Sequence, residues 1–492
     1  MKVGLICDTH VGIEENSPQY AFLLKAVGQM KGDGIDTIIH LGDVIGCANK
    51  EVYKSCVSIL SQFNNCHILI GNHDVTNKSD KDEILSLAKD VLFKVDDKTF
   101  LGLHLTSNVI SKGDFEKIET LKDGDVLLMH YGVHSLSDEI REKLSNILSN
   151  KSLTVICAHS HKKFDYNIGK SRVVGLRALD PDKSIGDYPC ITYFDTKTNE
   201  FTEKVFKEKR ENLIEISKYL GFSLANNKED LAFAMDNDIK AIELKLSSVE
   251  TDFDNELEAL IEKYNKKVGG YLSVHMPDIK FDGKEYQGKE AWLNVLEIVK
   301  RIKTNGITVH PPKIKKSLLL GNNGLLDEIV DFYAKAFQTL NKAVKIGFEN
   351  IHMLKQEKDL PIEECGFGYT PNDLFLLRDK VNEKMGADRA NIVLDVGHTK
   401  NNGNLSSIYT ISRWLSEVGD KTVAYHIHQV IKTEDGLKNH NAIENWFGPL
   451  ISYASFFYAF SENIIKRVPI FIEVRGKDNY VKSIEAFNKL IK

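Results

Sequence analysis

Residues with metal-binding side chains follow short apolar runs at five places in the first part of the chain. In chain order they are Asp8 with His10, Asp43, Asn72, His130, and His159 with His161. Two divalent metals about 3.5 to 4 Å apart can hold a phosphoryl group and activate water, if a carboxylate bridges them and the other ligands are mixed oxygen and nitrogen donors. Any one of these residues alone is more simply a turn residue or a helix cap. All five places together predict a dinuclear metal site.

A second set of metal-binding side chains lies beyond residue 210, again where apolar runs end. Its members are His275, His310, Glu349, Asp395 with His398, His426 and Glu473, with His440 in the loop after the seventh run. Apolar strands normally end in turn residues, whereas the strand ends of a parallel barrel carry its catalytic groups. The second set therefore predicts a separate metal site.

The elements that would position the first set alternate between strand and helix. Apolar runs at 2–7, 37–41 and 67–70 have strand patterns, and helical patterns at 18–31 and 50–63 separate them. Parallel strands bring their C-terminal ends to one edge of a sheet, which is where ligands bind in open α/β folds.

The elements around the second set form a regular alternation of short strand and amphipathic helix. The candidate strands are at 221–225, 241–246, 271–277, 307–312, 346–352, 391–398, 423–429 and 469–474. Eight such units predict a (β/α)₈ barrel, with a doubly wound sheet as the alternative. The charged segment 200–213 separates this part from the first, so we expect domains at 1–207 and 208–492.

Composition limits the function classes. The chain is 42% hydrophobic and 27% charged, as in soluble globular proteins, and no apolar run is long enough for a membrane span or a signal peptide, so we expect a cytoplasmic protein. Its seven cysteines include no C-x-x-C pair, which argues against a disulfide framework or a thiolate zinc site. The net charge of −6 does not favour a dedicated nucleic-acid binder.

The first set resembles the motifs of the calcineurin-like metallophosphoesterases: D-x-H, G-D, G-N-H-D, H and A-H-S-H, with Ala158 in place of the usual glycine. The resemblance implies an αββα sandwich with two Mn²⁺, Fe²⁺ or Zn²⁺ ions, and Asp43 as their bridge. One ion would be bound by Asp8, His10, Asp43 and His161, and the other by Asp43, Asn72, His130 and His159. His73 would be the general acid or electrostatic stabiliser, and Asp74 would orient it.

The second set, in SVHMP, TVHPP, GFEN, LDVGH, YHIH and FIEV, resembles the xylose-isomerase-like barrels shared by sugar isomerases, epimerases and endonuclease IV. The resemblance implies one to three Zn²⁺ or Mn²⁺ ions. Glu349, Asp395, His426 and Glu473 match the four-ligand site of the isomerases. His275, His310, His398 and His440 match further ligands of the endonuclease branch. Lys438 stands where that branch has an aspartate, and it would repel a third metal or bind a substrate phosphate.

Three hypotheses follow. The first is a bifunctional metalloenzyme, in which a two-metal phosphoesterase is joined to a barrel that acts on a sugar or sugar phosphate. The second is a nuclease or other nucleic-acid phosphodiesterase, in repair or defence. The third is a phosphoesterase whose barrel only binds. The expected partner is a small phosphorylated substrate, a sugar phosphate or a nucleotide. Neither a nucleic acid nor a membrane is favoured, and the oligomeric state is not indicated.

Overall fold

The computed structural model describes residues 1–13, 17–47, 49–76, 80–89, 91–358 and 360–492. The chain divides into two compact units. Unit 1 is Met1–Lys207 with Phe447–Ser455, and unit 2 is Glu208–Trp446 with Phe456–Lys492. The expected boundary at 207/208 assigned Phe447–Ser455 to the barrel, whereas the structure groups this segment with unit 1.

The segment Phe447–Ser455 has identifiable partners inside unit 1. The Gly186 amide donates a hydrogen bond to the Phe447 carbonyl at 2.9 Å, and the Ser452 amide donates one to the Asp182 carbonyl at 3.2 Å. The Phe447 ring packs against Tyr188 at 4.4 Å between ring centroids. Unit 1 is therefore built from two separate pieces of the chain.

The secondary structure of unit 1 has these bounds. The strands are β1 (Lys2–Ile6), β2 (Thr37–His40), β3 (Asn65–Ile68), β4 (Val91–Val95), β5 (Lys98–Leu103), β6 (Val126–Met129), β7 (Thr154–Cys157), β8 (Phe164–Ile168), β9 (Ser171–Gly175), β10 (Cys190–Asp195) and β11 (Glu200–Val205). The helices are α1 (Pro18–Gly32), α2 (Lys50–Leu60), α3 (Lys81–Leu87), α4 (Lys112–Thr120) and α5 (Asp138–Asn150).

Two sheets face each other in unit 1. One has the order β11-β10-β1-β2-β3, and the other has the order β4-β5-β6-β7-β9-β8. Leu5 and Phe194 of the first sheet share a buried cluster with Leu128 and Ile156 of the second. Helices α4 and α5 contribute a further buried cluster on the outer face of the second sheet. The expected αββα sandwich is confirmed.

Strand β11 is one of the strands that the sequence did not predict. The charged residues Glu200–Val205 were predicted to belong to a domain boundary, but they form the edge strand β11, antiparallel to β10 from Asp195↔Glu200 to Cys190↔Val205. Every second residue of β11 is exposed, and Phe201 packs against Phe194 at 4.8 Å between centroids. An edge strand of this kind tolerates charge because one of its faces is open to solvent.

Unit 2 has these bounds. The strands are β12 (Leu220–Ser223), β13 (Ala241–Lys245), β14 (Tyr271–His275), β15 (Lys280–Phe281), β16 (Tyr286–Gln287), β17 (Gly306–Val309), β18 (Lys345–Glu349), β19 (Ala390–Asp395), β20 (Thr422–Ile427), β21 (Gln429–Thr433), β22 (Gly436–Asn441) and β23 (Ile470–Glu473). The helices are α6 (Arg210–Ser217), α7 (Asn227–Asp236), α8 (Val249–Asp252), α9 (Asn255–Lys267), α10 (Lys289–Arg301), α11 (Lys316–Gly321), α12 (Asn323–Gln338), α13 (Pro371–Met385), α14 (Val396–Lys400), α15 (Leu405–Ile408), α16 (Ile411–Val418), α17 (Ala454–Ser461) and α18 (Lys477–Ile491).

Eight of these strands close into a parallel barrel in the order β12-β13-β14-β17-β18-β19-β20-β23. The last strand pairs in parallel with the first, from Leu220↔Ile470 to Ser223↔Glu473. This closure confirms the (β/α)₈ barrel and excludes the doubly wound sheet. Because all eight strands run the same way, the ends of β14, β18, β19 and β23 lie at one rim. No helix in the described residues is both long and apolar enough to cross a membrane.

Candidate metal centres in the two units

The predicted ligands of unit 1 all follow the C-terminal ends of parallel strands. Asp8 and His10 follow β1, Asp43 follows β2, Asn72 follows β3, His130 follows β6, and His159 and His161 follow β7. Strands β1, β2 and β3 are parallel neighbours in one sheet, and β6 and β7 are parallel neighbours in the other. The strand ends of both sheets thereby supply side chains to one site.

Asp43 is the central carboxylate of this site. Its Oδ2 atom lies 3.4 Å from Nε2 of His10 and 3.1 Å from Nε2 of His130. Its Oδ1 atom accepts a hydrogen bond from the His73 amide at 2.8 Å. The Asp43 side chain is fully buried, so it is held between the two histidines by protein groups alone.

The ligand atoms of unit 1 fall into groups that match the implied pair of metal sites. Atoms of Asp8, His10 and His161 lie within 4.8 Å of one another, and so do atoms of Asp43, His130 and His159. Asn72 Oδ1 lies 3.1 Å from Nε2 of His130 and so adjoins the second group.

Several buried atoms of this site lack hydrogen-bond partners in the described structure. They are Oδ1 of Asp8, Oδ2 of Asp43 and both ring nitrogens of His10. Buried polar atoms are normally paired, because an unpaired one carries its full desolvation penalty. Divalent cations would satisfy this set of oxygen and nitrogen atoms, so the residues fit the metals that the sequence implies.

The backbone of these ligands is strained. Five of them have positive φ angles, in the left-handed region that non-glycine residues avoid: Asp8 at 49°, His10 at 43°, Asp43 at 53°, His159 at 64° and His161 at 58°. Left-handed backbone costs about 1 to 2 kcal/mol for each such residue. Strain of this kind clusters at functional sites, where the surrounding structure enforces it.

His130 is anchored so that its Nε2 atom faces the site. Its Nδ1–H donates to the Leu41 carbonyl at 2.9 Å. Burial lowers the pKa of His130, but the Asp43 carboxylate outweighs this effect and raises the pKa to about 9. Metal-binding histidines commonly have one ring nitrogen held in this way while the other binds the ion.

The expected role of Asp74 differs from its position in the structure. Its carboxylate accepts backbone hydrogen bonds from Asp43 at 3.0 Å, Ile45 at 3.0 Å and Gly71 at 2.9 Å. The Nδ1–H of His73 instead donates to the Gly46 carbonyl at 3.0 Å. Asp74 therefore fixes the loops that carry Asp43 and does not orient His73.

Gly71 is required by the same close approach. A Cβ atom on Gly71 would lie 2.3 Å from Oδ1 of Asp43 and 2.5 Å from its amide nitrogen. Both are far shorter than van der Waals contact, so any side chain here would displace Asp43. Gly71, the glycine of G-N-H-D, thus leaves room for the Asp43 carboxylate.

Asp180 contacts this site but was not predicted from the sequence. Its Oδ2 atom lies 3.3 Å from Nδ1 of His10, while its Oδ1 atom accepts from the Gln19 amide group at 3.1 Å. Asp180 is fully buried and lies in a loop without any strand-end motif, so no sequence signal marked it. It orients His10 from the side away from Asp43.

In unit 2, His275, His310 and Glu349 form a first group of ligand atoms. The Nε2 atoms of both histidines lie 3.1 Å from Oε2 of Glu349. Nδ1–H of His275 donates to the Met276 carbonyl at 3.2 Å, and Nδ1 of His310 lies 2.6 Å from Oδ1 of Asp278. Burial lowers the pKa of His310, but the Asp278 and Glu349 carboxylates raise it to about 10.

A second group combines Asp395, His398, His428 and His440. Nε2 of His428 lies 3.2 Å from Oδ1 of Asp395. Nδ1–H of His398 donates to the Asn350 carbonyl at 2.9 Å. Among the described residues, Oδ2 of Asp395 and the Nε2 atoms of His398 and His440 are buried without hydrogen-bond partners. These atoms also fit a cation, and His440 has a positive φ of 59° like the ligands of unit 1.

His426 does not join Asp395 as the four-ligand set requires. Its Nδ1 atom lies 2.7 Å from Glu349 and 3.0 Å from Glu473, and its Nε2 atom lies 2.9 Å from Glu243. Burial lowers its pKa, but the three carboxylates hold the pKa well above the usual range for histidine. The structure therefore places His426 among three carboxylates inside the barrel, and His428 takes the place beside Asp395.

Two further residues near this site were missed. Glu243 is buried at 0% exposure and accepts hydrogen bonds from Ser223 and Thr308 as well as the ion pair with His426. Lys245 Nζ lies 2.5 Å from Oε1 of Glu473. The signal was present in the sequence, because a glutamate and a lysine two residues apart on an apolar strand point to the same face.

The rim of the barrel opens into a cavity of about 700 Å³. His275, His310, His398, His440 and Glu473 are among its lining residues. Lys438 is not among them; it is exposed on β22, so its expected contact with substrate has no support from this geometry.

Comparisons with known proteins give one family and several remote structures. The family model of the calcineurin-like phosphoesterase superfamily domain matches residues 1–181. A D-tagatose 3-epimerase-like protein is 18% identical over 56% of this chain and 97% of its own length, with a TM-score of 0.39. A putative xylose isomerase from Rhodospirillum rubrum is 12% identical over 55% of this chain and 98% of its own length, with a TM-score of 0.43.

A dimetal phosphatase from Danio rerio is 14% identical over 39% of this chain and 92% of its own length, with a TM-score of 0.30. No curated protein gave a match. Identities and TM-scores at this level do not identify an activity for this chain. Residues 1–181 are a calcineurin-like phosphoesterase superfamily domain, and the chain joins this domain to a closed eight-stranded parallel barrel.

Proposed function

We propose that unit 1 hydrolyses phosphate esters with two divalent metal ions. The observation that supports this most directly is the buried Asp43 carboxylate, whose Oδ2 atom faces histidines of both ligand groups at 3.4 and 3.1 Å. One ion would be held by Asp8, His10, Asp43 and His161, and the other by Asp43, Asn72, His130 and His159. When bound, such a pair supplies charge stabilisation for a phosphoryl group and a water of lowered pKa.

The protein's own residues would position the substrate and move a proton. The His73 ring is fixed by the hydrogen bond from Nδ1–H to the Gly46 carbonyl, and its centroid lies 4.9 Å from that of His10. Burial lowers the pKa of His73 to about 3, so the Nε2 atom of the neutral ring is available to accept a proton or a hydrogen bond at the site, and not to donate one as a general acid. Asp74 keeps the loops of Asp43 and Gly71 in register through its three backbone hydrogen bonds.

The test is hydrolysis of an aryl phosphate monoester and an aryl phosphodiester by the full chain loaded with Mn²⁺. The Asp43→Asn variant should lose about a thousandfold in kcat, because charge stabilisation of this size is typical of active-site electrostatics. Asp97→Asn, which changes an exposed aspartate, is the matched control and should retain full turnover. Unchanged turnover in Asp43→Asn would contradict the proposal. The ratio of the turnover rates on the two substrates shows whether the domain prefers a monoester or a diester.

For the barrel, we propose a multinuclear metal centre that acts on a phosphoester, in preference to a one-metal sugar isomerase site. The supporting observation is the separation of its ligand atoms into two groups, one around Glu349 and one around Asp395. A one-metal site would need His426 beside Asp395, but His426 is paired with three glutamates. The isomerase alternative would have to use His428 in its place.

Elemental analysis of the full chain separates these readings. A multinuclear barrel predicts that His310→Ala and His428→Ala each lower the metal content, and that the two losses add. A one-metal isomerase site predicts a loss only with His428→Ala, together with turnover of a ketose. A barrel that only binds would lose no second activity in either variant. Tyr166→Phe, at an exposed site in unit 1, is the control.

A further inference from the structure

We infer that the barrel cavity binds a nucleoside phosphate, with its phosphoryl group on a cluster of three lysines and its base against an apolar wall that includes the ring of Phe281. The lysine cluster consists of Lys280, Lys313 and Lys315, and all three line the cavity of about 700 Å³. The inference deepens the function proposed for the barrel by naming a substrate class. Its test measures binding and does not require turnover.

The backbone brings the three lysines together. Lys280 of β15 forms a parallel β-bridge with Lys313, and Lys315 forms an antiparallel bridge with Gly366. Residues two apart in an extended segment point to the same face, so Lys313 and Lys315 share one side. Like charges placed directly across a bridge repel each other. An anion placed between the two lysines would reduce this repulsion.

The present partners of these lysines are exchangeable. Lys313 pairs with Asp278, and Lys315 pairs with Glu364 at 3.3 Å, with the lysine side chains 48% and 62% exposed. Exposed ion pairs contribute little to stability. In the part of the chain that the structure describes, Lys280 is exposed and has no ion pair. A phosphoryl group can therefore replace water and the exposed carboxylates at small cost, and its charge would complement all three ammonium groups.

The other wall of the cavity is apolar. Phe281, Ile351 and Leu354 line it with exposed or partly exposed side chains, and the buried rings of Phe367 and Tyr369 lie among the lining residues. The Tyr369 hydroxyl is held by Glu357 at 2.7 Å. A sugar phosphate offers little apolar surface to such a wall, whereas a nucleobase of any type can stack on the partly exposed ring of Phe281.

The volume of the cavity also limits the ligand. About 700 Å³ is within the range of small-molecule sites, and the candidate ligands His275, His310, His398 and His440 line the same space. A phosphoryl group on the lysine cluster thus shares one cavity with the metal-binding side chains. A mononucleotide or the end of a short oligonucleotide combines the required anionic and aromatic parts.

The test uses the full chain carrying Asp43→Asn, so that unit 1 does not consume the ligand. Calorimetric titrations compare adenosine 5′-monophosphate, ribose 5-phosphate, adenosine and inorganic phosphate. The double variant Lys280→Gln, Lys313→Gln should weaken binding of the nucleotide by about tenfold or more. Lys284→Gln, which changes an exposed lysine outside the cavity, should bind as the parent does.

A second variant tests the apolar wall. Phe281→Leu should weaken nucleotide binding by about fivefold or more, because one stacking partner is lost. The affinity for ribose 5-phosphate should be unchanged. Nucleotide binding that is no tighter than that of ribose 5-phosphate in the parent would overturn the inference in favour of a sugar phosphate. Unchanged affinity in the double lysine variant would overturn the lysine cluster. Failure of the proposed metal chemistry would appear separately, as unchanged metal content in His310→Ala and His428→Ala.

Discussion

The two candidate centres hold their ligands in different ways. In unit 1, five ligands have left-handed backbone, and the loops between strands set their positions. In unit 2, Glu349, Asp395 and Glu473 are the last residues of regular strands, and His440 alone of its candidate ligands has a positive φ. There the side chains hold one another, with His426 between three glutamates. Unit 1 combines histidine–carboxylate pairs with left-handed backbone, whereas unit 2 has such pairs on strand ends of mostly regular backbone.

This difference affects how much each centre should be ordered by metal binding. Strained loops with unpaired buried atoms gain directly when a cation binds, because the cation satisfies those atoms. The barrel also has buried polar atoms without hydrogen-bond partners, but among its candidate ligands only His440 has left-handed backbone. We therefore expect metal binding to order unit 1 more than unit 2.

The largest expected effect comes from exchanging the central carboxylate of the barrel. Glu349→Gln should remove the charge shared by His275 and His310 and lower the barrel's turnover of a phosphoester by about a thousandfold. Hydrolysis of the aryl phosphate by unit 1 should be unchanged, in contrast to Asp43→Asn. Assays of both activities in both variants measure whether each substitution lowers only the activity of its own unit. A loss of both activities in Glu349→Gln would show that the two centres are not independent.

A smaller effect is expected from two carboxylates that orient histidines. Asp180→Asn should weaken metal binding in unit 1 by about ten- to a hundredfold, as is typical of groups that orient a ligand. Asp278 lies in the corresponding place on Nδ1 of His310, but its side chain is 39% exposed. Water can replace it, so Asp278→Asn should weaken binding less. Equal losses in competition with a metal indicator would contradict the distinction.

Metal affinity should rise with pH in both units, and the pH at which it stops rising should differ between them. The raised pKa values mean that His130, with a pKa of about 9, and His310, with a pKa of about 10, carry a proton at neutral pH in the metal-free chain. Binding must displace that proton, so affinity should rise about tenfold per pH unit below the pKa. The rise should level off near pH 9 in unit 1 and continue further in unit 2.

Proton release on metal binding is measured by calorimetry in buffers of different ionisation enthalpy. His130→Gln should reduce the release that belongs to unit 1, and His310→Gln the release that belongs to unit 2. Burial lowers the pKa of His10 and of His428, but neighbouring carboxylates raise it overall, so these two ligands should supply the remaining protons. An affinity that does not change between pH 7 and pH 9 would contradict both assignments.

The smallest effect is expected in local stability. Chelation should increase hydrogen exchange at the loops after β1, β2 and β7 by the equivalent of about 1 kcal/mol or more, because the strained residues lose the ion that holds them. The rim strands β18, β19 and β23 should change less. Segment-resolved exchange by mass spectrometry compares the two units in one sample. Equal deprotection would show that backbone strain is not the deciding difference.

Much of this arrangement was predictable because parallel strands place their ends together. Asp8, Asp43 and His130 each end an apolar run, and that alone was enough to place them in one site. His426 and His428 show where this reasoning stops. They are two residues apart, His426 within β20 and His428 just beyond its end, and only the closed barrel decides that His426 lies deeper, among the glutamates.

Residues outside the strand-end pattern were not predictable in the same way. Asp180 reaches His10 from a loop, and its position depends on the path of the chain after β9. The family resemblance implied that Asp74 orients His73, but the Asp74 carboxylate instead accepts hydrogen bonds from three backbone amides. Edge strand β11 was concealed by its charges, since its exposed face resembles a linker.

The segment Phe447–Ser455 has a consequence for the order in which the protein is made. Translation releases residues 1–207 early, and domains near the N-terminus generally begin to fold during synthesis. Unit 1 nevertheless cannot be complete until residue 455 has left the ribosome, and by then seven of the eight barrel strands have been synthesised. Tyr188 and the Asp182 carbonyl must wait for partners encoded more than 250 codons downstream. Folding of unit 1 can therefore be completed only after most of unit 2 has been synthesised.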